Sequence, residues 1–218
     1  MEKASVKILD ENNGTVMLSN VRLGFKCLWK ENVYEGRPTG RQVAQLLFMD
    51  DETDEFEKLK AFGLRILQGV DPSIKSVDEA ENERFAEYNG KQGEHNWVFR
   101  TSNSRAYPAL YIDETGMPDR TTPPEEVEDK VLYSGCRVNA KVQMGARPST
   151  RKRGKTCLWP NLVAIQFAGH DKPIGGPSDQ QVAEGFGKGG SVQQTAESGF
   201  GKAEAPSEKK VDIDDMLS

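Results

Sequence analysis

The clearest strand signal in the chain is LYSGCRVNAKVQM, residues 132–144. Apolar and polar side chains alternate along it, which is the pattern of a strand with one face in a core and the other in solvent. The apolar face holds Leu132, Cys136, Val138, Ala140, Val142 and Met144. The polar face holds Tyr133, Arg137, Asn139, Lys141 and Gln143. The stretch therefore predicts a half-buried β-strand.

Five further segments on either side of this strand have strand-like patterns. They are residues 17–30, 41–49, 97–101, 109–113 and 155–167. Residues 53–68 instead carry apolar side chains at helical spacing after a run of acids, which predicts an amphipathic helix. SVDE, residues 76–79, has the form of a capping box and predicts a short second helix that ends at Asn89-Gly90. Together these elements favour a mainly β fold with α insertions: an OB-fold-like antiparallel β-barrel with one or two packed helices.

The composition changes near residue 178, beyond which large apolar residues almost vanish and Gly, Gln and Ser are frequent. This change predicts a folded domain over residues 1–177 and a disordered linker with an acidic end over residues 178–218. The formal net charge of the whole chain is -5. Residues 179–218 hold eight acids against four lysines, so the predicted domain is nearly neutral. An acidic total does not exclude a nucleic-acid partner, because affinity depends on locally clustered cations.

The last eight residues, VDIDDMLS, alternate acids with apolar side chains. Such a peptide can dock in the pocket of a partner protein, or fold back onto a basic groove and compete with DNA. A tail that only solubilises the chain is the third interpretation, and the apolar residues at its tip disfavour it. The candidate partner-binding residues are Asp212, Ile213, Asp214, Asp215, Met216 and Leu217.

Signals for catalysis, metals or cofactors are poor. The three cysteines form no CxxC pair, and the two histidines have no companions at metal-ligand spacing, so we expect no metal site and a reducing cytosolic compartment. The sequence has no P-loop, GxSxG or HExxH motif, so we expect a non-enzymatic protein without a cofactor or a small-molecule substrate. No signal peptide or membrane-spanning run is present, so we expect no membrane partner.

Single-stranded DNA binding requires cations that follow phosphates and aromatic rings on which bases stack. Three segments offer this combination: strand 132–144, strand 17–30 and the basic loop before residue 156. The candidate DNA-binding residues are Arg22, Lys26, Lys30, Tyr133, Arg137, Lys141, Arg151, Lys152, Arg153, Lys155 and Trp159. Solvated charge is the ordinary alternative for each group. Phe25 and Trp29 fall on the core-facing side of their strand, unless Gly24 shifts the register and turns them outward.

Several short motifs, in order, resemble a small family of phage proteins. They are VRLGF at 21–25 with Trp29, FRTSNSRAYP at 99–108, YSGCRVN at 133–139 and LVAIQ at 162–166 followed by Gly175-Gly176. Characterised members of that family, long catalogued as a domain of unknown function, are single-stranded-DNA-binding proteins with an OB fold. The resemblance implies sequence-independent coating of DNA during phage replication or recombination. It also implies an acidic tail that contacts other replication proteins, and a location in the cytoplasm of the infected bacterial host. The chain departs from the family after residue 144, where MGAR replaces a segment that usually carries an aromatic residue.

Three alternatives to a simple DNA binder remain open at this point. One is a protein–protein adaptor whose barrel binds a peptide. Another is a strand-annealing recombination protein, and the third is a small nuclease. Salt-sensitive binding to oligonucleotides separates the binder from the adaptor, and metal-dependent degradation of DNA would indicate the nuclease.

Overall fold

The computed structural model describes residues 2–89, 95–104, 106–122 and 126–174. Its strands are β1 (Ser5–Asp10), β2 (Thr15–Cys27), β3 (Val33–Tyr34), β4 (Arg37–Pro38), β5 (Arg41–Met49), β6 (Phe85–Asn89), β7 (His95–Ser104), β8 (Leu110–Ile112), β9 (Arg137–Pro148) and β10 (Thr156–Gly169). The long helix is α1 (Thr53–Gln68). Single helical turns lie at Asp50–Glu52, Val77–Glu79 and Val127–Val131. No helix among these residues is long and apolar enough to cross a membrane.

One large sheet forms the body of the domain. Its strands run in the order β6-β7-β5-β2-β9-β10-β8, and β1 adds to the first half of β2. All neighbours are antiparallel except β8, which pairs in parallel with β10. β3 and β4 form a separate two-stranded hairpin between β2 and β5. The strand order β7-β5-β2-β9-β10 is that of a five-stranded, partly open OB-type sheet. The predicted fold class, mainly β with a packed helix, is confirmed.

Side-chain amides join β10 to β7 and to the segment before β6, and no strand ladder among the described residues pairs β7 with β10. Asn103 of β7 accepts a hydrogen bond from the backbone N–H of Leu162 at 2.9 Å and donates to its carbonyl at 2.7 Å. Asn82 does the same for Leu158, at 2.9 and 2.6 Å. Each amide therefore satisfies two backbone groups of β10, as a neighbouring strand would. We call this amide-bridged gap the seam.

Helix α1 packs on the sheet as its spacing predicts, and its bounds match the predicted range 53–68. Phe56, Leu59 and Phe62 are fully buried on one face of the helix. The Phe56 ring stacks on Trp97 at 5.4 Å between ring centroids. Gly63 lies beneath the ring of Phe85, where an added Cβ would come within 3.0 Å of that ring. These contacts fix the helix against β6 and β7.

The predicted second helix is wrong. The capping box is present, since the Ser76 hydroxyl accepts from the Asp78 N–H at 3.2 Å and Glu79 accepts from the Ser76 N–H at 3.1 Å. However, it caps a single turn that ends at Ala80, where the backbone becomes extended. The residues beyond form β6, because Phe85 pairs with Phe99 of β7 and both side chains enter the core. Residues 178–218, with the predicted linker and acidic tip, lie outside the described residues.

Candidate nucleic-acid interface

An open cleft of about 880 Å³ follows the seam on the outside of the sheet. Its walls come from the start of β5, the end of β7 with the turn beyond it, and the facing parts of β9 and β10. The side chains that shape it include Arg41, Asn103, Tyr107, Leu110, Arg147 and Trp159. A second cleft of about 570 Å³ lies on the other side of Trp159. Trp159 therefore lines both clefts, on a rigid strand between them.

Trp159 is surrounded by three guanidinium groups. The Cζ atoms of Arg147, Arg41 and Arg84 lie 4.0, 4.6 and 5.9 Å from the centre of its ring. The strand register explains this arrangement, because Trp159 pairs with Gly145 of β9. Gly145 leaves space beside the indole, and Arg147, two residues further along the same face, reaches over the ring. Each contact of this kind is favourable by about 0.5–2 kcal/mol, depending on its exposure.

The charges in this cluster repel one another. Burial lowers the pKa of Arg84 to about 10, with a further contribution from Arg41. Burial also lowers the pKa of Arg41, and the nearby charges of Arg147 and Arg151 lower it further. Arg84 is satisfied by the Leu158 carbonyl at 3.3 Å and the Ser102 hydroxyl at 3.2 Å. Such a gathering of like charges attracts an anion.

Neither Arg41 nor Arg147 has an acidic partner within the part of the chain that the structure describes. The indole Nε1 of Trp159 is buried and likewise has no hydrogen-bond partner among these residues. Arg41 and Arg147 therefore bring two positive charges to Trp159 without an acidic counter-group among the described residues, which is the chemistry of an anion site.

Two projecting loops flank the first cleft. The β3–β4 hairpin leads directly into Arg41 and exposes Tyr34 and Arg37. The loop between β9 and β10 is closed by a Ser149 N–H bond to the Lys155 carbonyl at 2.7 Å. This loop exposes the predicted cations Arg151, Lys152, Arg153 and Lys155. In OB folds the corresponding pair of loops, with the sheet between them, contacts oligonucleotides and oligosaccharides.

Two of the predicted DNA-binding residues lie in the interior instead. Arg137 is buried, donating to Asp171 at 2.8 Å and to Glu52 at 3.1 Å. Arg22 is buried beside it and donates to the carbonyls of Gly135 and Lys172. Arg22 and Arg137 both lie on the polar strand faces that the alternation of side chains in the sequence predicts. Those faces are covered at this end of the sheet by the segment 170–174 and by the start of α1, so neither guanidinium faces solvent.

Tyr133 and Lys26 are also engaged by the protein itself. The Tyr133 hydroxyl donates to the Asp171 carbonyl at 2.9 Å, and its ring stacks near His170. Tyr133 precedes β9, because the strand begins only at Arg137. Lys26 donates to the Glu128 carbonyl at 2.5 Å. These partly buried side chains hold connecting segments in place, and their role in DNA binding stays a prediction.

Lys30 and Lys141 remain exposed. Lys141 lies on the same outer face of β9 as Arg147, so part of the predicted polar strip of this strand does reach solvent. Phe25 is 51% exposed, because a bulge between Leu23 and Lys26 shifts the register at Gly24, the alternative anticipated from the sequence. Trp29 instead packs against the core and donates to the Ala109 carbonyl at 2.9 Å.

Arg41, Arg84 and Tyr107 carry no sequence signal that marks them as site residues. Each is a single polar or aromatic residue at the edge of a strand or in a turn, without a neighbouring pattern to mark it. The pairing of β5 with β7, together with the seam, brings Arg41 and Arg84 to Trp159 and places Tyr107 in the same cleft. The cleft was therefore detectable from the sequence only through Trp159 and the basic loop.

The described residues contain no group of three or more His, Cys, Asp or Glu side chains that could hold a metal ion. Burial raises the pKa of the Cys136 thiol to about 12, so this cysteine is a poor nucleophile at neutral pH. The interface is thus built from cations, aromatic rings and amides.

The fold of this chain is similar to that of solved phage proteins. No family model matches the chain. The single-stranded DNA-binding protein from bacteriophage Enc34 superposes with a TM-score of 0.59 at 16% identity, over 81% of this chain and 96% of that one. This chain has the fold of the Enc34 protein. The structure of that protein in complex with single-stranded DNA gives a TM-score of 0.58, also at 16% identity, over 80% of this chain and 100% of that one.

A sequence relative comes from another phage. The protein named p50 of Acyrthosiphon pisum secondary endosymbiont phage 1 is 28% identical over 141 residues, which span 59% of this chain and 71% of the relative. The expected likeness to an OB-type phage protein is thus confirmed for the fold, and the sequence relative is also encoded by a phage.

Proposed function

We propose that this chain binds single-stranded DNA without sequence preference and without catalysis, along the cleft beside the seam. The observation that carries the proposal is the cluster of Arg41, Arg84 and Arg147 around Trp159, two of whose guanidinium groups have no acidic partner among the described residues. Phosphates supply the missing acceptors, and unpaired bases supply rings that stack on aromatic side chains. The Enc34 protein of the same fold has been solved with single-stranded DNA bound, which supports this assignment.

The strand would run between the β3–β4 hairpin and the basic loop. Arg41 lies at the foot of the hairpin and Arg147 at the foot of the basic loop, so both loops can close over a strand that lies on Trp159. Lys152 and the other loop cations then reach phosphates beyond the cleft. Guanidinium groups and ring faces do not discriminate strongly between bases, which favours binding without sequence preference.

Fluorescence anisotropy of a labelled oligo-dT, measured at low and moderate salt with duplex DNA as competitor, tests this proposal. We expect tight binding, weak competition by duplex and a steep loss of affinity with salt. The double variant Arg41→Ala/Arg147→Ala should weaken binding at least tenfold and flatten the salt dependence. Its matched control is Lys58→Ala/Lys60→Ala on α1, which removes the same charge from residues that line neither cleft and should bind like the unmodified protein.

Binding that survives in the arginine variant with an unchanged salt slope would remove this cluster from the interface. Complete absence of binding at low salt would instead favour the adaptor function, in which the cleft receives an acidic peptide.

We further propose that binding serves phage DNA replication or recombination in the cytoplasm of the bacterial host, and that the acidic end of the chain recruits partner proteins or regulates access to the cleft. Deleting residues 211–218 should leave oligo-dT binding equal or tighter and abolish pull-down of replication or recombination proteins. Clearly weaker DNA binding in this truncation would contradict the tail's proposed role. Annealing of two complementary oligonucleotides in the same assay format would assign the chain to strand pairing as well.

A further inference from the structure

Tyr107 is the most exposed large apolar side chain among the described residues, at 79%. It lies in the turn between β7 and β8, outside both of the loops that flank the cleft. A single exposed apolar residue is common on protein surfaces, so its exposure alone means little. Tyr107 differs from other exposed residues because hydrogen bonds hold its backbone on both sides and because it lines the cleft.

The backbone of Tyr107 is held on both sides. Its N–H donates to the Ser104 carbonyl at 3.0 Å, and its carbonyl accepts from Asn103 Nδ2 at 3.0 Å. The same Asn103 amide bridges the seam to Leu162, so the turn is tied directly to β10. No side chain among the described residues takes a hydrogen bond from the Tyr107 hydroxyl. The main chain is therefore fixed, while the ring has one free face and a free polar end.

Tyr107 also lines the cleft that Arg41, Arg147 and Trp159 line. Ser104, which holds its N–H, pairs across the sheet with Arg41. Along β10, Leu162 at the Asn103 bridge is three residues from Trp159, which corresponds to about 10 Å in a strand. Tyr107 and Leu110 thus add apolar side chains to a cleft that also holds the cations Arg41 and Arg147. A nucleotide has this polarity, because its base is apolar on both faces and its phosphate is an anion.

We propose that Tyr107 is a base-stacking platform for the strand whose phosphates are held by Arg41 and Arg147. This inference rests on the proposed function and adds a third wall to the site, built by the β7–β8 turn. Asn103 acts as a positioning residue, since it fixes the Tyr107 backbone relative to β10. A fixed backbone lowers the entropy lost when the ring is ordered against a base.

Binding to two oligonucleotides tests this role: oligo-dT, and a strand of the same length made of abasic nucleotides. Tyr107→Ala should weaken binding to oligo-dT about tenfold, since stacking of one base is worth about that factor. The same variant should bind the abasic strand as the unmodified protein does. Tyr107→Phe keeps the ring and should restore oligo-dT binding. The matched control is Met117→Ala, which removes a side chain of similar exposure that does not line the cleft.

The outcomes separate this inference from the function on which it rests. Failure of the unmodified protein to bind oligo-dT overturns both. If the unmodified protein binds and Tyr107→Ala binds oligo-dT equally well, the DNA-binding function stands and the platform is overturned. An equal loss on both strands would also overturn the platform, because a base cannot contribute where none is present.

Discussion

Replacing Asn103 with alanine removes the amide that joins β7 to β10. The side chain is buried, and it satisfies both the N–H and the carbonyl of Leu162 at 2.9 and 2.7 Å. No strand ladder is available to replace these bonds, since β7 and β10 are not paired in the sheet. Each buried backbone group left without a partner costs about 1–3 kcal/mol. We therefore expect Asn103→Ala to lower the free energy of unfolding by about 3 kcal/mol.

Urea unfolding followed by tryptophan fluorescence measures this loss, and a thermal melt checks it. For a domain of this size, about 3 kcal/mol corresponds to a fall in Tm of about 6–12 °C. The matched control is Asn161→Ala on the same strand. The Asn161 side chain is exposed and makes no hydrogen bond with a described residue, so its loss should change stability by no more than about 0.5 kcal/mol. If Asn103→Ala unfolds within about 0.5 kcal/mol of the unmodified protein, the seam is not held by its amide and the reasoning fails.

Two further predictions concern the segment that ends the described domain. Gly135 has a φ of +109°, and an added Cβ would lie 2.3 Å from the Lys172 carbonyl, so Gly135→Ala should cost at least about 2 kcal/mol in urea unfolding. Gly169→Ala, with open space around its Cα, should be nearly neutral, and an equal loss in both would contradict the docking of this segment. Burial raises the pKa of Asp171, but the Lys172 N–H and the Arg137 guanidinium outweigh it and hold the pKa below its usual value. Its stabilisation is therefore present above about pH 4 and lost as the pH falls through the lowered pKa. The free energy of unfolding of Asp171→Asn should be about 2 kcal/mol lower than that of the unmodified protein at pH 7. This difference should shrink as the pH falls below about 4, and a difference independent of pH would refute the ion pair.

The sequence predicted the elements of this fold well where a periodic pattern extends over a whole segment. Helix α1 and strand β5 have the predicted bounds, because each carries one strongly buried face along its full length. The pattern failed after Ser76, where a real capping box opens only one turn. A capping box marks where a helix begins but does not fix its length. Here the residues after the first turn lead into β6, because Phe85 pairs with Phe99 of β7.

The candidate site could be predicted only in part, because strand parity gives the face of a residue but not what covers that face. Arg137 and Lys141 share the polar face of β9, yet Arg137 is buried under Asp171 and Glu52 while Lys141 is exposed. The covering groups are 34 and 85 residues away in sequence, and no local pattern announces them. Arg41 can be recognised as a site residue only from the three-dimensional structure, in which it lies beside Trp159.

The placement of the cations reconciles an acidic chain with the proposed nucleic-acid partner. The net charge is -5, but Arg41 and Arg147 line one cleft, and the exposed basic loop that follows Arg147 adds Arg151, Lys152, Arg153 and Lys155. For single-stranded DNA, each neutralised phosphate contributes about -0.7 to the slope of log affinity against log salt. About four to six contacts from this cluster would give a slope of roughly -3 to -4. Binding driven by overall charge would give no such slope, because an acidic protein repels DNA at long range. If the slope is steep and its magnitude decreases by about 1.4 in the Arg41→Ala/Arg147→Ala variant, phosphates bind the protein and two of them bind at these arginines.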